Sequence, residues 1–85
     1  MKIDNLVGIF PNPNQGSFVL SVVNGNEKYS LEIYNILGAK ISTENLSQKL
    51  NYKINIPGQP NGIYLFKLLE KNGNQVGEGK LIIEK

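Results

Sequence analysis

The chain has 85 residues, a formal net charge of +2, and neither cysteine nor histidine nor tryptophan. That length makes one domain, which buries only roughly 60–65% of its unfolded surface around a small core. All nine basic residues are lysines spread along the chain. Without the planar arginine fork or a basic run, nothing points to nucleic acid. The lack of cysteine excludes a disulfide framework and thiolate chemistry and leaves the redox compartment open. No apolar run approaches the ~20 residues of a membrane span, which argues against membrane insertion.

The opening Met1-Lys2-Ile3-Asp4-Asn5 has neither the charged nor the apolar region of a signal peptide. If the protein is exported, its signal peptide lies upstream in a longer precursor. Residues 1–8 read as a linker or partial first strand, and residues 9–85 as the domain. Residues 17–23 alternate, with Phe18, Leu20 and Val22 on one face. Asn24-Gly25 then offers the positive φ angles of a hairpin turn. Residues 29–34 alternate again and set Leu31 and Ile33 opposite Glu32. Residues 35–38 read as a turn, with Gly38 in the left-handed position. A weaker strand follows over 39–46, and a stronger one over 50–56 with Leu50, Tyr52, Ile54 and Ile56 on one face.

Residues 57–62 hold two prolines and two glycines, which cannot sit in a central ladder, so they form a loop. Residues 63–70 carry the heaviest apolar row, Tyr64, Phe66 and Leu68. The turn-rich approach to Gly62-Ile63-Tyr64 predicts a tyrosine corner, with the phenol bonded to upstream backbone. Asn72-Gly73 marks another hairpin, and residues 75–85 return. In that last strand Gly77 and Gly79 predict a bulge or a close backbone approach. No segment has a helical period. The expectation is an all-β fold: an Ig-like antiparallel β-sandwich of about seven short strands.

Catalysis needs a proton carrier or a nucleophile with an activating partner. The glutamates stand singly, the serines lack a base, and Asp4 is the only aspartate. The chain therefore reads as a non-enzyme without cofactor. The His and Cys that zinc prefers are missing, and the asparagines sit beside glycine and proline, where turn formation accounts for them. Gly79-Lys80 imitates the end of a phosphate-binding loop, but Asn74, Leu81 and the absent helix break that pattern. Asn45-Leu46-Ser47 matches a glycosylation sequon that is frequent by chance.

Four short motifs stand in order along the chain: Pro11-Asn12-Pro13 with Gly16, Ile33-Tyr34-Asn35 through Gly38, Gly62-Ile63-Tyr64, and Lys80-Leu81-Ile82-Ile83 with Lys85 closing the chain. In this order they resemble the C-terminal sorting domain of cargo exported by the type IX (Por) secretion system, over residues 9–85. The resemblance implies a domain fused behind an unrelated N-terminal cargo in a Gram-negative cell. It implies periplasmic transit, recognition by the type IX secretion machinery and carriage across the outer membrane. It further implies cutting near or before residues 1–6 by a sortase-like peptidase, with the cargo left secreted or at the cell surface. The residues it singles out are Pro11, Asn12, Pro13, Gly16, Gly38, Gly62, Tyr64, Lys80, Leu81, Ile82, Ile83 and Lys85.

The terminal strand is the natural candidate for recognition. An open outer edge over residues 80–85 would let a receptor strand add by β-augmentation, with Lys80 and Lys85 guarding it against aggregation. A purely structural role, in which Leu81 and Ile83 finish the core, is compatible with this. Two other readings stand beside it: an Ig-like structural or adhesive module of a larger extracellular protein, and a carbohydrate-binding module. The first would place the domain inside a longer chain, and the second would show an exposed row of aromatics.

Overall fold

The computed structural model describes residues 7–22 and 28–85, so the predicted Asn24-Gly25 turn lies outside the described residues. Among these, seven strands pack as two antiparallel sheets. The smaller sheet has the order β1-β2-β5, from β1 (Val7–Phe10), β2 (Ser17–Val22) and β5 (Asn51–Asn55). The larger has the order β4-β3-β6-β7, from β3 (Lys28–Asn35), β4 (Lys40–Ser47), β6 (Gly62–Glu70) and β7 (Gln75–Ile83). This is the Ig-like sandwich that the strand pattern predicts. β1 straddles the expected boundary between residues 8 and 9.

The period-2 rows become the core. Phe18, Leu20 and Val22 of β2 meet Tyr29, Leu31 and Ile33 of β3 and Tyr64, Phe66 and Leu68 of β6, and all are buried. Alternation places them on one face of each strand, and burying that face is what closes two sheets into a sandwich. Leu81 and Ile83 add the row from β7, with Leu81 fully buried. Leu50 departs from its predicted place in the core row. It precedes β5 and is 53% exposed, while its carbonyl accepts from Val22 N at 2.8 Å. The bend over residues 48–49, with Gln48 at positive φ, turns the chain before the strand alternation begins.

The predicted bulge in the last strand is present. Leu68 pairs with Gly77 and Leu69 with Gln75, so Val76 is the extra residue. Gly79 opposes Phe66, and a Cβ there would stand 2.6 Å from the Phe66 ring. The ring covers the glycine and fills the space its missing side chain leaves.

The strand registers define two poles. β1 runs from Val7 (opposite Val22) to Phe10 (opposite Val19), and Ser17 pairs with Asn55. Asn35 pairs with Tyr64, and Gly62 with Ile83. The ends of β1, β3, β5 and β7 and the starts of β2, β4 and β6 therefore gather at one pole. Val7 and the turn over residues 71–74 lie at the other.

Candidate functional site

The four motifs, far apart in the chain, converge on the first of these poles. Residues 11–14 form a strap along the outer edge of β7. Asn12 Nδ2 donates to Lys80 O at 2.9 Å, and Ile82 N donates to Asn12 Oδ1 at 2.8 Å. The side-chain amide thus stands in for a backbone peptide, presenting one donor and one acceptor at the spacing a strand requires. Asn14 continues with its main chain: its N donates to Ile82 O at 2.9 Å and its O accepts from Glu84 N at 2.7 Å, as a parallel bridge to Ile83.

Asn14 is the one buried polar residue among those described, and each of its polar groups is bonded. Its Nδ2 reaches Pro11 O at 3.0 Å and its Oδ1 accepts from Gly16 N at 2.8 Å, an Asx turn that fixes the exit from the strap. Gly16 has φ +103°, and a Cβ there would lie 3.3 Å from the Ile56 carbonyl oxygen, to whose residue it also bonds through Ile56 N at 2.8 Å. The positive φ strains any residue with a side chain, and the close carbonyl adds a tight contact. The prolines, whose peptide bonds to Phe10 and Asn12 are cis, present no N–H groups to solvent. A shallow cleft of about 500 Å³ opens beside the strap, between Pro11, Pro13, Gln15, Ser17 and Glu84.

The expected open edge over residues 80–85 does not hold in this conformation. One side of β7 is laddered to β6, and the strap occupies the other side from Lys80 O to Glu84 N. Leu81 and Ile83 point into the core, whereas Lys80 and Ile82 face outward. Lys85 N donates to Asn61 Oδ1 at 3.0 Å, which ties the chain end to the third motif. The tyrosine corner is as predicted: Tyr64 is buried and its hydroxyl donates to Pro60 O at 2.6 Å.

Gly38 lies in the β3–β4 turn at the same pole with φ +89°. That hairpin repeats, residue for residue, in the β6–β7 hairpin at the opposite pole. In the first, Asn35 N donates to Ala39 O at 2.9 Å and Gly38 N to Asn35 O at 3.0 Å. In the second, Glu70 N donates to Asn74 O at 2.8 Å and Gly73 N to Glu70 O at 2.9 Å. Gly73 has φ +92°, and each hairpin carries a bulge just after the turn, at Ile41 and Val76. The tips differ, and so do the side chains that brace the turns: Asn35 accepts from Leu37 N and Ala39 N in the first, Asn72 from Asn74 N in the second. Lys71-Asn72 is polar, whereas Ile36 and Leu37 are 70% and 89% exposed. The same backbone is thus made with a polar tip, so the fold does not call for apolar side chains at Ile36 and Leu37.

On the outer face beside this turn, the Tyr34 hydroxyl donates to Glu32 and Lys40 Nζ donates to Glu32 Oε2 at 2.9 Å. The tyrosine bond, and then Lys40, hold the Glu32 carboxyl below its ordinary value, and the same contacts raise Tyr34 and Lys40. Lys67 Nζ sits 5.3 Å from the Tyr34 ring centre, a cation–π contact. No group of three His, Cys, Asp or Glu side chains comes together among the described residues. What the pole offers is a shaped surface: an apolar tip, a proline strap and a clamped chain end.

The structure thus brings all the singled-out residues to one pole. It adds Asn14 and Asn61, which stand beside proline or glycine as turn residues do, and Asn35 of the second motif. Asn35 does serve its turn, through Oδ1 bonds from Leu37 N and Ala39 N at 3.0 Å. Asn14 serves its turn with the side chain but reaches β7 and Glu84 with the main chain, and Asn61 holds Lys85 N; their local sequence carries no trace of these distant bonds. Ile36 and Leu37 were legible as an apolar pair inside a turn.

The architecture is that of an Ig-like β-sandwich domain. It is similar to the solved structure of a "Biofilm associated protein - BSP domain", with TM-score 0.67 and 18% identity over 92% of this chain. The chain spans 14% of the length of that protein. None of the curated proteins matches the chain. The family described as "Secretion system C-terminal sorting domain" matches residues 8–84, and the chain belongs to it. It is thus a sorting domain of the type IX system, in a family of sorting signals rather than enzymes, and this implies a secreted or cell-surface protein.

Proposed function

We propose that this domain directs a fused N-terminal cargo through the periplasm and across the outer membrane, with the secretion machinery reading the pole where the four motifs meet. A sortase-like peptidase then cuts ahead of β1 and leaves the cargo at the cell surface. The observation that carries this reading is the pair of matched hairpin turns. The Ile36-Leu37 tip is apolar and exposed on a backbone that its twin builds with Lys71-Asn72. Exposed apolar side chains with no structural duty are the signature of a contact surface.

The test is a secreted reporter fused ahead of residue 1 in a type IX-competent cell. Replacing the tip, Ile36→Lys with Leu37→Asn, is expected to leave thermal stability within about 0.5 kcal/mol of the parent, as surface changes do, while the reporter accumulates in the periplasm. Undiminished surface export of that variant overturns the reading of the pole. The length of the surface-exposed reporter, with or without the tail, decides cleavage separately. The other reading, a structural or adhesive module, predicts no export of the reporter by the parent domain at all.

A further inference from the structure

The terminal strand is self-complementary, and the strap conceals it. Over residues 80–84 the backbone groups that face away from β6 belong to Lys80, Ile82 and Glu84, since these are the ones bonded by Asn12 and Asn14. An antiparallel pair of β7 edges from two copies must match these residues with one another, because only outward-facing residues exchange ladder bonds. Centred on Ile82, that pairing sets Lys80 opposite Glu84 twice, Leu81 opposite Ile83 twice, and Ile82 opposite Ile82. Both charge pairs are attractive, and cross-strand pairs of opposite charge and of β-branched residues favour a sheet. The two cores would run on in register, since Leu81 and Ile83 keep to one face. The neighbouring registers are worse: one sets Glu78 against Glu84, the other leaves Lys80 unpaired and places Ile82 against Glu84.

We propose that the 11–14 strap is an edge plug, which keeps β7 from pairing with β7 of a second copy of this chain. The bonds Asn12 and Asn14 make occupy the same outward groups that the second copy would use. Beyond the strap, Pro11 and Pro13 lack N–H groups, so the plug cannot itself extend the sheet. A strand of such composition left open is an association site. The inference rests on the fold and these bonds alone, and does not depend on how the domain is exported.

The experiment is sedimentation of residues 1–85 across the micromolar range, with circular dichroism and a thermal melt on every variant. The parent is expected to be monomeric. Asn12→Ala, which removes two bonds of the plug, is expected to double the weight-average mass. Adding Glu84→Lys sets lysine against Lys80 and returns the monomer, and adding Lys80→Glu to that variant restores the dimer. A folded Asn12→Ala that stays monomeric overturns the proposal, and so does association that ignores these charge changes. Should Asn12→Ala fail to fold, hydrogen exchange on the parent decides. The Ile82 and Glu84 amides are expected to be protected like those laddered to β6. Exchange as fast as on the outer edge of β4 overturns the plug.

Discussion

The β3–β4 and β6–β7 hairpins share a turn, a left-handed glycine and a bulge, and they sit at opposite poles of one sheet. One ends in Ile36-Leu37 and the other in Lys71-Asn72. Their outer edges differ as well. β7 is strapped by residues 11–14, whereas among the described residues no loop bonds to the outer edge of β4. The backbone of a hairpin therefore sets neither the chemistry of its tip nor the fate of its edge. Both are free to carry something other than stability.

The largest effect expected concerns the edges. Leu46 of β4 and Leu81 of β7 occupy equivalent places after the two turns, opposite Tyr29 and Tyr64, and both are buried. Replacement by alanine costs about 2–5 kcal/mol at such positions, the more where the surroundings cannot collapse. Among the described residues β7 is held on both sides and β4 on one, so Leu81→Ala should fall at the upper end and Leu46→Ala at the lower. Urea titration of the two variants checks the order, and equal or reversed losses would break the contrast between edges. Against a whole margin of roughly 4–13 kcal/mol for a chain of this size, Leu81→Ala leaves little.

The turns themselves should respond alike. Gly38→Ala and Gly73→Ala each force an alanine into the left-handed region, at about 1–2 kcal/mol. Thermal melts that differ between the two by more than that would show that the twins are not equivalent.

The smallest effect lies on the outer face, where the first hairpin has an interaction the second lacks. Glu32, Tyr34 and Lys40 correspond to Lys67, Leu69 and Gln75, which form no such cluster among the described residues. Glu32 is held below its ordinary value of 4.5 by Tyr34 and then Lys40. Its ionised form therefore adds stability above that value, and the gain is lost as the pH falls through the lowered one. Denaturation of the parent and Glu32→Gln should differ at neutral pH and converge as the pH falls below 4.5 and through the lowered value, with the gap narrowing in salt because the cluster lies on the outer face. A gap that persists in acid would assign the effect to packing instead.

Much of the fold was legible in the sequence because alternation is a local signal. β2, β3 and β6 each bury one apolar row, and Phe18, Leu31 and Phe66 are where that period puts them. Tyr64 and Gly79 were legible too, since a turn before Gly-x-Tyr and a glycine in a strand each have few physical explanations. Leu50 misled because alternation gives no sign of where a strand starts, and the bend at Gln48 decides that. The strap was illegible for a deeper reason. Asn12 and Asn14 satisfy groups on residues 80–84, and a bond across so long a separation leaves no mark on the composition of either segment. The sorting motifs were visible as four short patterns, but their meeting at one pole is a property of strand order.

One consequence follows from the way β1 joins the sheet. Val7 pairs with Val22 at the pole away from the motifs, and the strand then runs toward them. Val7, the first described residue, thus stands at the rear, with the length of the sandwich between it and the apolar tip, the strap and the clamped chain end. On the sorting role proposed above, a passenger fused ahead of the domain joins it on the side away from that surface. By this geometry, one tail can be transplanted behind unrelated passengers without being redesigned for each.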